Sequence, residues 1–178
     1  MYENVLNFWF NEIKSYQWWK KDKKFDHLIR ERFLGLHNEA VFGKLAQWRN
    51  SFRGRLAEII ILDQFSRNIY RNTPLAYKND KYTLILSQNA IENGIEKKIN
   101  DEELIFIYMP FMHSEIISKQ VISVDLFKKL GFKKNIKSAL RHYDVIQKFG
   151  RFPHRNTILN RKSTVEEKEF LSKPGSRF

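Results

Sequence analysis

The sequence predicts an all-α protein, a single-domain array of antiparallel helix pairs. Apolar residues recur at spacings of three and four nearly throughout, no segment sustains the alternation of a half-buried strand, and turn-forming residues fall between the apolar stripes. With 178 residues, 42% of them hydrophobic and 29% charged, the chain can bury a core without disulfides or metals and is globular rather than disordered in composition. Fifteen Phe, seven Tyr and four Trp make that core rich in rings.

The first long stripe, Phe25, Leu28, Ile29, Phe33, Leu36 and Ala40, turns one helix face inward and leaves Arg30, Glu31 and Glu39 outside. Comparable stripes run through Leu56, Ile59, Ile60 and Phe65, then Tyr82, Ile85, Leu86 and Ile91, then Ile117, Val121, Val124 and Leu130. A fifth comprises Ile136, Ala139, Leu140, Tyr143 and Ile146. Gly43, Gly54, Thr73-Pro74, Asn93-Gly94, Pro110, Gly131, Gly150 and Pro153 mark ends or turns, giving six to eight helices. Asn100 with Glu103 reads as a capping arrangement, and Ser163 with Glu166, or Thr164 with Glu167, as the capping box of a last short helix. No Gly/Ser-rich linker divides the chain, and no period of about 34 residues aligns. A right-handed stack of helix pairs is the preferred architecture, with an irregular bundle as the alternative.

The absence of Cys excludes disulfides, thiolate metal sites and cysteine nucleophiles. The N-terminus, MYENVLNFWF, does not read as a signal peptide, and no apolar run is long enough to cross a bilayer. A cytoplasmic protein with no membrane partner is expected. The net charge of +12 raises nucleic acid as a partner, but lysines outnumber arginines 20 to 12 and their pairs are scattered. A solvated basic surface is the favoured reading and nucleic acid is not.

Three segments are dense in polar groups that are costly to bury unpaired. In Asp63-Gln64-Phe65-Ser66-Arg67-Asn68-Ile69-Tyr70-Arg71, continuation of the helix places Asp63, Arg67 and Arg71 on one face. That reads structurally as an Asp63–Arg67 ion pair, or functionally as a guanidinium pair aimed at a carboxylate or phosphate. In Tyr108-Met109-Pro110-Phe111-Met112-His113-Ser114-Glu115, Pro110 should kink or end the helix and set His113 and Glu115 at a bend. Their spacing is a weak metal signal, and no metal is expected. In Phe149-Gly150-Arg151-Phe152-Pro153-His154-Arg155-Asn156, Gly150 releases one helix and Pro153 opens the next turn. Its amides, with Arg151, His154 and Arg155 nearby, suggest an anion cradle, against which stands a structural corner whose arginines bond carbonyls.

These segments, together with Val5-Leu6-Asn7-Phe8-Trp9-Phe10, Trp18-Trp19-Lys20-Lys21-Asp22, Phe25-Asp26 and Pro174-Gly175-Ser176, resemble the bacterial family called domain of unknown function 924 essentially end to end. Gly150-Arg151-Phe152-Pro153-His154-Arg155-Asn156 is the most specific signature. The resemblance implies a tetratricopeptide-like helical array and supplies no activity. The chain departs from the family pattern at Ser66, where a Pro usually stands.

The leading functional expectation is a helical scaffold whose polar pocket, lined by Asp63, Arg67, Asn68, His113, Glu115, Arg151, His154, Arg155 and Asn156, binds a small anionic molecule. The alternative is an enzyme with His113 or His154 as acid/base and Glu115 or Asp63 as its orienting partner. A third reading is a protein- or peptide-binding module using Trp9, Trp18, Trp19 and Trp48. No nucleophile motif, phosphate loop or metal-ligand spacing is present, and no cofactor is expected.

Overall fold

The computed structural model describes residues 1–176, and among them the chain is helical with no β-strand. Helix α1 (Tyr2–Asn7) runs into a wide π-helical turn (Phe8–Glu12), and α2 spans Lys23–Val41. Helix α3 (Phe52–Ile60) continues through a second π-helical turn (Ile61–Phe65) into Ser66–Ile69. Then follow α4 (Asp80–Glu92), α5 (Asp101–Met112), α6 (Ile117–Leu130), α7 (Lys133–Phe149) and α8 (Val165–Leu171). The chain packs as two units, one of Met1–Arg71 with Leu75–Pro110, the other of Asn72–Pro74 with the residues from Phe111 onward.

In the first unit, polar side chains fix where helices begin. Asp22 Oδ1 accepts from the amides of Lys24 (2.9 Å) and Phe25 (3.3 Å), satisfying donors that the first turn of α2 leaves unpaired. Asn100 and Glu103 cap each other's amides at the start of α5, as their spacing predicts. The core is aromatic: Phe8 and Phe65 flank Phe33 with ring centroids 4.9 and 4.8 Å apart, and Trp9 meets Phe65 and Phe106 edge-on at 5.5 and 5.6 Å. Such pairs add about 1 kcal/mol each beyond the area they bury. Trp9 and Trp48 are core residues, Trp18 is half-buried with its Nε1–H donating to the Trp9 carbonyl, and Trp19 is exposed.

In the second unit, Gly131 and Gly150 end α6 and α7 at φ of +86° and +67°, a conformation that costs glycine little. The short link between α6 and α7 folds them into an antiparallel pair. Gln120, wholly buried on α6, donates to the carbonyls of Met112 (2.8 Å), which ends α5, and Ser114 (2.6 Å), just beyond it. Thr164 and Glu167 form the capping box of α8. Val145, Ile146 and Phe152 make the apolar centre, with Phe149 and Phe170 packed against it.

The helices stand where the periodicity puts them, but several stripes face differently. Ile85, Ile117, Val121 and Leu140 are exposed, because polar neighbours take their share of the buried faces: Thr83 and Ser87 on α4, Gln120 and Ser123 on α6, His142 on α7. Pro110 lies within α5 and does not end it; the bend comes after Met112.

Two helical glycines should respond to alanine with opposite signs. A Cβ on Gly54 would be driven into the Trp48 carbonyl, so Gly54→Ala should destabilise by about 2 kcal/mol or more. A Cβ on Gly35, in α2, meets nothing within 4 Å, so Gly35→Ala should stabilise by about 0.5–1 kcal/mol. Denaturant melts of both variants check the pair.

Candidate functional site

The π-helical turn of α3 presents five consecutive residues, Ile61 to Phe65, all of which are buried. Asp63 is therefore taken out of water, and Arg67, one turn on, meets it at 3.0 Å, which is the ion pair the spacing predicts. The same guanidinium reaches Asp80 at 3.1 Å. Gln64 Nε2 donates to Asp63 Oδ2 at 2.5 Å. Arg71 does not join Arg67 in a guanidinium pair. It forms a two-point fork on Asp26 (2.5 and 2.6 Å), whose carboxylate also accepts from Asn68 Nδ2 at 2.8 Å. Helix α3 ends at Ile69 and turns Arg71 toward α2. Asp26, Asp63 and Asp80 thus receive both arginines, which favours a structural reading of this segment. Ser66 lies where the π-helical turn passes into Ser66–Ile69: its Oγ donates to the Leu62 carbonyl (2.7 Å) and lies 2.7 Å from His37 Nε2.

In the second unit the corner after α7 is built around two carboxylates. Glu167 is 2% exposed and accepts from Arg151 through Nε (2.6 Å) and Nη2 (2.8 Å), from the Thr164 amide (2.8 Å) and from Asn156 Nδ2 (3.2 Å). The Arg151 fork, helped by the Thr164 and Asn156 donors, outweighs burial and holds the Glu167 carboxyl down to about 2. Glu115 is the second anion. It accepts from the Phe152 amide at 2.7 Å and from both terminal nitrogens of Arg161 at 2.7 and 2.9 Å. Burial alone would raise the Glu115 carboxyl; Arg161, the Phe152 amide and the charge of Arg155 reverse that and hold it below the usual range. The Phe152 amide, a member of the sequence-predicted anion cradle, already holds a carboxylate of the chain itself.

One further guanidinium, of Arg155, acts on Glu115, and three imidazoles lie near it about Phe152 and His142. Arg155, 6% exposed, donates to the His113 carbonyl at 3.0 Å and lies 4.6 Å from the centre of the Phe152 ring. His142 sits 5.5 Å from the same ring, His154 5.7 Å, and His113 is 6.4 Å from His142. His142 Nδ1–H donates to the Ser138 carbonyl at 2.8 Å. Burial above all, aided by the positive charge of His113, Arg155 and His154, pushes the His142 imidazole down to about 3, so it is neutral near pH 7. Among the described residues no group of three or more His, Asp or Glu is placed to hold a metal ion.

Residues 5–175 match the family described as bacterial protein of unknown function, DUF924. The chain belongs to that family. A solved structure described as a protein of unknown function, ATU0120 from Agrobacterium tumefaciens, is 34% identical, with 96% of each chain covered and a TM-score of 0.91. No curated protein matches.

The polar segments that carried the family resemblance are thus seen in their local settings. Asp63, Arg67 and Asn68 lie in the first unit, and His113, Glu115, Arg151, His154, Arg155 and Asn156 in the second. Two residues that organise the second set, Arg161 and Glu167, were not among the sequence candidates. Glu167 carried a signal in the capping box, whereas Arg161 sits in no motif and is recruited by the fold. A solvent-open groove of about 290 Å³, bordered by Arg141, Asp144, Phe170 and the Pro174-Gly175-Ser176 turn, was also missed.

The depressed histidine makes stability depend on pH with a definite sign. An unfolded His142 binds its proton near pH 6.5 and the folded one only near 3. The unfolded state therefore binds more protons between these values, and stability falls as pH drops through that window. His37, pushed down to about 4 by burial, adds in the same direction. The melting temperature of the wild type should fall from pH 7 to pH 5, and His142→Asn should flatten that slope in part; an unchanged slope would remove His142 as its source.

Proposed function

We propose that the protein is a tetratricopeptide-like helical scaffold, working in the cytoplasm, that binds a small anionic molecule at the corner of its second unit. The observation that supports this most directly is the charge composition there. Three guanidinium groups, of Arg151, Arg155 and Arg161, stand against two carboxylates, Glu115 and Glu167, leaving a positive excess, and the imidazoles of His113 and His154 neighbour that of His142 beside the Phe152 ring. Planar guanidinium forks suit carboxylates and phosphates, and burial strengthens what they hold. His154 and Arg155 are the residues through which a ligand is engaged. Arg151, Asn156 and Glu115 keep the corner in shape, since they bond the side chains of Glu167, Ser163 and Arg161 respectively. Asp63, Arg67 and Asn68 belong to the scaffold in this reading.

The test is a thermal-shift and calorimetric titration with inorganic phosphate, sulfate and short dicarboxylates. A ligand that binds only the folded state at a hundredfold excess over Kd stabilises it by about 2.7 kcal/mol. Arg155→Met should abolish the shift, while His154→Gln, at a half-buried position, should weaken it and leave the fold intact. Arg141→Ala, beside the groove, should have no effect. A response lost in Arg141→Ala and kept in His154→Gln would move the site to the groove, and no response from the wild type would overturn the proposal.

A further inference from the structure

We infer that the tip of the α6–α7 hairpin is a docking surface for an anionic lipid bilayer. From Leu126 to Tyr143 the chain carries no carboxylate, and Lys128, Lys129, Lys133, Lys134 and Lys137 all fall in that stretch. All five lysines are exposed. Phe132 stands at the apex between the two lysine pairs, 39% exposed. An apolar ring level with a set of ammonium groups is the side-chain arrangement that enters a lipid interface, the ring between headgroups and the cations among their phosphates and carboxylates.

The stability of the hairpin itself does not account for these residues. Lys128 and Lys129 end α6, where cations complement the helix dipole, but Lys133 and Lys134 open α7, where the same charge is unfavourable. The N-cap of α7 is Phe132, which supplies no side-chain hydrogen bond, where Ser, Thr, Asp or Asn would stabilise the helix start. Cap and first turn are thus chosen against local helix preference in favour of a basic, apolar tip. Charge complementarity therefore names an anionic partner. A bilayer is favoured over nucleic acid because the tip offers lysines without a guanidinium fork and one ring rather than a series of stacking platforms. Contact with a surface needs no spanning segment, and no helix among the described residues is long and apolar enough to span. The expectation that no membrane partner takes part is set aside for this surface alone.

The experiment is co-sedimentation of the full chain with vesicles of phosphatidylcholine and phosphatidylserine, against pure phosphatidylcholine, over a salt series. The wild type should bind the mixed vesicles and lose them as salt rises, and should leave pure phosphatidylcholine unbound. Lys133→Glu with Lys134→Glu should cut partitioning roughly tenfold or more, and Phe132→Ser should weaken it at every salt concentration. Both changes place favoured residues at the start of α7, so both variants should melt at or above the wild-type temperature, which separates loss of binding from loss of fold. Failure to bind the mixed vesicles at low salt, equal binding to both kinds of vesicle, or binding to single-stranded RNA without binding to vesicles would each overturn the inference.

Discussion

A carboxylate taken out of water needs several donors at once, and in this chain arginine supplies most of them. Glu58, Asp63 and Glu167 are almost wholly buried, and each is met by a guanidinium, from Arg49, Arg67 and Arg151 respectively. Removing either partner of such a pair leaves an uncompensated charge in a low-dielectric surrounding, which is far more costly than losing an exposed ion pair. The turns and caps around them follow from this constraint. Asp63 is buried by a π-helical turn, and Glu167 both closes its own helix start and anchors the corner after α7. Because the Asp63 and Glu167 pairs also tie to backbone groups, and Arg49 also to the Tyr82 hydroxyl, each fixes a direction of approach as well as a distance.

Arginine and lysine consequently do different work. Of the cations in the described residues, the lysines are exposed apart from the half-buried Lys119, while Arg49, Arg67, Arg71, Arg151, Arg155 and Arg161 are half-buried or buried. The geometry follows the chemistry: a planar, weakly hydrated fork can be held inside, whereas a compact ammonium keeps its water. The high net charge is therefore chiefly a property of the surface. What distinguishes the second unit is that Arg155 acts on the neutral imidazole of His142 as well as on Glu115, so its corner holds three guanidinium groups against two carboxylates and is more basic than a set of matched ion pairs would be.

Much of the fold was legible because helical periodicity and capping are local. The cap of Asn100 with Glu103, the release of α7 at Gly150 and the turn opened by Pro153 all depend on residues a few positions apart. The stripes were less reliable where a polar residue is buried. Ser123 and Gln120 take the inner face of α6 that Ile117 and Val121 were expected to share; a side-chain amide with carbonyls in reach, as Gln120 has, can be buried, and a pattern of apolar letters cannot register it. The same limit applies to the candidate site. Local density marked Glu115, Arg151 and Asn156 as polar groups needing partners, but their partners Arg161 and Glu167 come from later in the chain.

By itself the sequence determined that the protein is all-helical, where most helices begin and end, and which short segments concentrate polar chemistry, because these properties are set by side chains within a turn or two of one another. The tertiary structure alone decided which arginine meets which carboxylate and that the Phe152 amide is taken by Glu115, 37 residues away. It also decided that His142 packs against the Phe152 ring with His113 beside it. Those are contacts between distant positions, fixed by packing once the helices assemble, and a buried charge chooses its partner by geometry that no local pattern encodes.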